Sequence, residues 1–82
     1  MRVEVQLSAS LREFAGGAAS IAIEAATIRE LLRKLVERYP RMQRRVDEGI
    51  AVSVNGEIYR DDRNQQIPEG AEIFLLPRIQ GG

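Results

Sequence analysis

The chain ends Leu76-Pro77-Arg78-Ile79-Gln80-Gly81-Gly82, and this is the stretch whose residue types suggest chemistry most directly. Two glycines put the terminal carboxylate on backbone without side chains, so a narrow channel admits it and partner amides approach it closely from both sides. The same freedom makes the segment costly to order and poor for packing. From the residues alone, a functional tail and an unimportant frayed end weigh about evenly. The other candidate groups read more simply. Glu57, Asp61, Asp62 and Glu69 crowd one stretch, but the Asp-x-Asp-x-Asp-Gly spacing of a calcium loop is missing, so they read as a solvated loop with no metal site. Arg38, Arg41, Arg44 and Arg45 form the one basic cluster. Without interleaved aromatics for base stacking, and beside Asp47 and Glu48, it reads as a solvated helix end, with docking of an acidic protein partner as the alternative. Gly16-Gly17 precedes no Lys-Ser or Lys-Thr and opens no helix, so it is a connection and not a phosphate loop. Phe14 and Tyr39, at apolar-periodic positions, read as core.

Composition narrows the chemistry further. The chain has 82 residues, twelve Lys plus Arg against twelve Asp plus Glu, and no His, Cys or Trp. Without His and Cys there is no Ser-His-Asp or Cys-His nucleophile system, no thiolate or imidazole zinc site and no disulfide framework. Zero net charge argues against holding nucleic acid by neutralising many phosphates. No apolar run approaches the roughly 20 residues that span a bilayer, and the start lacks the apolar stretch of a signal peptide, so the expectation is one cytoplasmic domain with no membrane partner.

The elements that would position the tail follow from periodicity. Val3, Val5 and Leu7 alternate with Arg2, Glu4 and Gln6, as in a half-buried strand. Ser10 and Glu13 have capping-box spacing, which predicts one short helical turn with Leu11 and Phe14 as anchors, ended by Gly16-Gly17. Residues 19–24 alternate again through Ile21 and Ile23 and should pair with the first strand. Thr27 and Glu30 form a second capping box, followed by Ile28, Leu31, Leu32, Leu35, Val36 and Tyr39 at helical spacing. Pro40 ends that helix. Residues 41–49 are polar, with room for a short helical turn before Gly49. A strand at 50–55 leads into Asn55-Gly56, the type I′ hairpin signal, and 57–60 return. Asp61 to Gln66 is a loop, and Ala71 to Leu76 is the last strand, closed by Pro77.

The class is therefore α+β: about five strands in a sheet, with one main helix crossing one face. The expected inward set is Val3, Val5, Leu7, Ile21, Ile23, Ile28, Leu31, Leu32, Leu35, Val52, Val54, Ile73 and Leu75. Alternation then turns Phe74 and Leu76 outward, and with Ala51 they lie on the sheet face left open to solvent or a partner.

Over its whole length the sequence resembles the ubiquitin-like sulfur carriers of the MoaD/ThiS type, the family of the molybdopterin synthase small subunit and the thiamine sulfur carrier. The residues that carry the likeness are Leu11-Arg12-Glu13-Phe14-Ala15-Gly16, the Thr27-led helix, Val54-Asn55-Gly56, Pro68-Glu69-Gly70-Ala71-Glu72-Ile73 and, above all, the tail from Leu76 to Gly82. The resemblance implies a β-grasp fold with a mixed sheet, its first and last strands side by side in the centre, and residues 77–82 as a flexible tail on a single domain.

It also implies a chemistry suited to a chain without Cys or His. An E1-like enzyme using ATP and magnesium adenylates Gly82, a persulfide from a sulfurtransferase displaces the adenylate, and the resulting thiocarboxylate donates sulfur. The carrier itself binds no cofactor and is not catalytic alone. Gly81 gives clearance, Arg78, Ile79 and Gln80 line the partner's channel, and Phe74 and Leu76 belong to the docking face. Length and the helix favour the molybdopterin group, with the synthase large subunit as acceptor. Leu75-Leu76-Pro77-Arg78 stands where such members commonly carry aromatics and a double proline, which keeps thiamine, cysteine or transfer-RNA thiolation, and protein modification, as alternatives.

Overall fold

In the computed structural model, which describes residues 2–60 and 62–77, the elements run β1 (Arg2–Leu7), α1 (Ala9–Arg12), a 3-10 turn (Glu13–Ala15), β2 (Ser20–Glu24), α2 (Ile28–Arg38), a second 3-10 turn (Pro40–Met42), α3 (Gln43–Glu48), β3 (Ile50–Val54), β4 (Glu57–Tyr59) and β5 (Glu72–Pro77). The sheet order is β2-β1-β5-β3-β4. Only β1 and β5 run parallel, with Val5 opposite Ile73 and Leu7 opposite Leu75, while the other neighbours are antiparallel. The last strand thus occupies the centre of the sheet beside the first, as in the β-grasp fold. A parallel pair needs a long crossover, and everything between β1 and β5 supplies it.

Each residue of the expected inward set is buried. Leu7, Leu31, Leu35 and Leu75 are wholly enclosed, so α2 lays its stripe across one face of the sheet. The core also takes Leu11, Met42, Val46 and Ile67. Met42 and Val46 come from the stretch read as polar: one apolar residue per helical turn suffices there because the segment closes only the end of the core.

The start of α2 is held from two sides. The Glu30 amide donates to Thr27 Oγ1 at 3.2 Å, as the capping box predicts. The Glu30 carboxylate reaches one residue further back than the motif requires and accepts from the Ala26 amide at 2.7 Å. The free amides of Ile28 and Arg29 donate to the carbonyls of Gln65 and Arg63, and the Ile67 amide donates to Ala26, so the loop before β5 is pinned to the helix start. At the first helix the expected short turn forms but its expected cap does not: α1 begins at Ala9 with Ser8 as its N-cap, Ser10 lies inside it, and no side chain caps it. Two serines compete for one site, and the end of β1 decides, because the Ser8 amide is already bound to Leu75 O. The segment still ends at Gly16, whose φ of 66° suits glycine.

Asn55 and Gly56, at φ 52° and 87°, form the positive-φ pair of the hairpin. Asn55 does more than turn the chain, since its amide donates to Glu72 O and its Oδ1 accepts from the Glu72 amide, each at 2.9 Å. The hairpin therefore fixes where β5 starts. At the opposite edge, Lys34 Nζ and Arg38 Nη1, one helical turn apart, donate to Glu24 O and Ala22 O and cover carbonyls of the edge strand β2. Among the described residues no helix is long and apolar enough to cross a membrane.

Candidate functional site

Five of the expected site residues, Arg78, Ile79, Gln80, Gly81 and Gly82, lie outside the described residues. What positions them is on view. Pro77, placed in the tail by the sequence reading, is the final residue of β5 and sits opposite Ile50. The tail is therefore joined directly to the central strand. Leu7, opposite Leu75, and Ile50 flank that strand on either side.

β5 alternates as expected. Ile73 and Leu75 are buried, Phe74 is 37% exposed and Leu76 is half-buried. Across the open face, register aligns Gln6, Phe74, Ser53 and Ile58 in one row, with Ala51 opposite Leu76 in the next. Ile58, 53% exposed, is the most exposed large apolar residue of the described chain, and the sequence reading missed it. The signal was present: Glu57 faces the same side as Val54, so alternation turns Ile58 outward, an inverted pattern for a strand that serves only the core.

Ala51 corrects an expectation. It lies on the open face but is only 7% exposed, so it is not presented to a partner. Its methyl group is too short to rise above its neighbours on this interior strand, including Leu76 directly across. The apolar surface is thus Phe74, Leu76 and Ile58, confined to the β5-β3-β4 half. The β1-β2 half carries Arg2, Glu4, Gln6, Ser20 and Glu24. Beside Phe74 lies a hollow of about 360 Å³ lined by Gln6, Ser53, Asn55, Gly56 and Glu72.

Of the acidic stretch, Glu57, Asp62 and Glu69 are described. Among the described residues no three His, Cys, Asp or Glu side chains stand together as metal ligands. Glu57 accepts a hydrogen bond from the Tyr59 hydroxyl, which raises the phenol's pKa, and Asp62 accepts from the Asn64 amide. Asp61 lies outside the described residues. The arginines fare differently. Arg41 and Arg45 place their guanidinium carbons 5.4 and 4.5 Å from the centre of the Phe14 ring, while Arg38 lies over Tyr39. Phe14, expected in the core, is half-buried and packs against its margin.

The ThiS family model matches residues 5–82, all but the first four positions of the chain and including the glycines.

The chain belongs to the ThiS family.

A curated relative, the molybdopterin synthase sulfur carrier subunit of Pyrenophora tritici-repentis, is 39% identical over 57 residues, which is 66% of this chain and 61% of that protein. The match therefore spans less than two thirds of the relative's length. Among solved structures, SAMP1 from Haloferax volcanii superposes with a TM-score of 0.78 at 29% identity, covering all of both chains. The BexX/CysO complex of Amycolatopsis orientalis contains a chain at TM-score 0.78 and 25% identity, with 98% of this chain and 99% of that one covered. The chain is thus a ThiS-family protein with the β-grasp fold.

Proposed function

We propose that this ThiS-family chain is a sulfur carrier that works through Gly82. The carboxylate is a poor electrophile. An E1-like enzyme joins it to AMP from ATP, with magnesium, and releases pyrophosphate. The outer sulfur of a sulfurtransferase persulfide then attacks the acyl adenylate and displaces AMP, leaving an acyl disulfide. A second cysteine thiol cleaves its S–S bond, is oxidised to a disulfide with the sulfurtransferase cysteine, and releases the C-terminal thiocarboxylate, which gives its sulfur to an acceptor enzyme. The observation that carries this reading is the family match running through Gly81-Gly82, together with a central strand that feeds directly into that end. Arg78, Ile79, Gln80 and Gly81 line the channel that receives the tail, and Phe74 and Leu76, joined by Ile58, dock on its rim.

For the acceptor we favour the molybdopterin synthase large subunit, with this chain as the sulfur-donating small subunit of the synthase; the Pyrenophora relative supports that choice. The test is intact-mass measurement of the protein from its native host, and after incubation with the activating enzyme, ATP and a sulfur source. An oxygen-to-sulfur mass increase that maps to Gly82 is expected, and its absence under both conditions sinks the proposal. Capture of the synthase large subunit by the thiocarboxylate form is expected; capture of a thiamine, cysteine or transfer-RNA thiolation enzyme instead reassigns the pathway.

The likeness to SAMP1 over the whole chain supports a second reading, a protein modifier joined to lysines through Gly82. Gly-Gly remnants on lysines of host proteins, lost when Gly82 is removed, distinguish it.

A further inference from the structure

We propose that the end of the sheet where β5 gives way to the tail carries a second docking surface, in which Arg41, held on the Phe14 ring, meets an acidic surface beside the tail-receiving channel of the activating enzyme. The inference rests on the carrier reading above and adds to it a site away from the open sheet face.

Topology brings the parts together. β1 and β5 are parallel, so α1 and Phe14 follow from the end of β1 that lies beside the end of β5. β3 is antiparallel to β5, so the segment that precedes it, including Arg41, Arg44 and Arg45, reaches the same end, where Ile50 faces Pro77. Arg12 joins them by donating from Nε to Leu7 O at 3.1 Å. These guanidinium groups are not equivalent. Arg44 and Arg45 are paired with Glu48 at 3.5 and 2.8 Å. Arg41 has no carboxylate partner among the described residues; its recorded contact is the face of Phe14.

An exposed arginine laid on a ring is a prepared contact. The ring face attracts the cation, which restricts the side chain before a partner arrives and lowers the ordering cost of docking. It leaves the N–H fork free for a carboxylate. Arginine and aromatic residues are also the types that dominate interface energetics.

The distribution of charge supports an acidic partner. The chain is neutral overall, so it gains nothing from net attraction. Its strand charges nevertheless gather away from the tail: Glu4 lies opposite Glu72, Glu57 opposite Val54, and Glu24 opposite Arg2, the one basic strand residue. At the tail end Arg12, Arg41, Arg44 and Arg45 outnumber Glu13, Asp47 and Glu48 by one, while the far end carries the strand carboxylates, which gives the molecule a weak orientation in a field. A channel mouth rimmed by carboxylates would turn the tail end toward itself and repel the hairpin end.

The test measures ATP–pyrophosphate exchange by the activating enzyme of the same genome while the full chain is varied. For Arg41→Glu, KM for the carrier should rise about tenfold with kcat unchanged, because the tail is intact and only its delivery is impaired. Arg41→Lys should restore most of the loss. Phe14→Leu, which keeps apolar volume and every charge, should raise KM about threefold, the size of a lost cation–π contact. Rising salt should raise the wild-type KM more steeply than that of Arg41→Glu. Thermal melts check that each variant is folded, and Arg41→Ala replaces Arg41→Glu if the reversal unfolds the chain. If the wild type is adenylated and the Arg41 variants match it in KM and salt slope, this docking surface is refuted and the carrier reading stands. If the wild type supports no exchange, the carrier reading falls and the surface falls with it.

Discussion

The two faces of β5 are built from the same kinds of residue and have different fates. Ile73 and Leu75 on one face are at most 1% exposed, while Phe74 on the other is 37% exposed and Leu76 half-buried. Both faces carry large apolar residues, the outer one beside Glu72, but only the inner one is needed to close the core under α2. Hydrophobic residues that folding does not bury are the informative ones. Here they align with Ile58 across the sheet, on the strand that continues into the tail. On the function proposed above, the inner face answers to stability, the outer face to docking and the tail beyond β5 to chemistry.

The strongest way to break that separation is to remove Gly81 and Gly82. The shortened chain should melt with the intact protein and lose thiocarboxylate formation completely, as read by intact mass. A large loss of stability would mean that the tail serves the fold. Next in size is Leu75→Ala on the inner face, expected to cost about 2–5 kcal/mol through lost burial and an unfilled cavity, measured by urea denaturation. Its outer neighbour should behave in the opposite sense. Phe74→Ser should cost about 0.2–1 kcal/mol, the scale of a cross-strand pair, yet weaken binding to the activating or acceptor enzyme by about tenfold or more. If Phe74→Ser destabilises the chain as much as Leu75→Ala does, the two faces are not divided between folding and docking.

Much of this arrangement was legible in the sequence wherever the signal is local and repeated. Strict alternation fixes the faces of β1 and β5, and the spacing from Ile28 to Leu35 fixes the buried side of α2. Asn55-Gly56 fixes the hairpin because few residue pairs accept its dihedrals. What was not legible depends on partners remote in sequence. Met42 and Val46 are isolated apolar residues in a polar run, and only the end of the core gives them a place. Ser8 wins over Ser10 because of a bond to β5, more than sixty positions away. Ala51 is hidden by the sheet around it, and Phe14 lies at the margin of the core, where Arg41 and Arg45 from another segment stack on its ring. The outward positions of Phe74 and Leu76 were readable from alternation, whereas Ile58 joins them through the β3–β4 pairing that the Asn55-Gly56 turn sets. The chemistry of Gly82 was never a matter of periodicity; the composition made it conceivable and the family match supports it.

The smallest effect concerns the start of α2. Its Thr27 hydroxyl and Glu30 carboxylate satisfy backbone amides at 3.2 and 2.7 Å. Thr27→Ala should cost about 1 kcal/mol, the usual loss of a side-chain N-cap. Glu30 should add a pH dependence. The Ala26 hydrogen bond lowers its pKa most, desolvation opposes it in part, and Lys34 and Arg33 lower it further. Because the folded value lies below the ordinary glutamate value of about 4.3, the folded state binds fewer protons than the unfolded chain in that range. The contribution of Glu30 is thus fully present above that value and disappears as pH falls through the lowered one. Melting temperatures of the wild type and Glu30→Gln, compared from neutral pH downward, should differ by a constant amount until about 4.3 and then converge. The site faces solvent and lies on the helix layer, so the convergence should be slight and partner binding should not change with it. A parallel change in binding would tie the helix start to the docking face, and the division between the two sides of the sheet would fail at its quietest point.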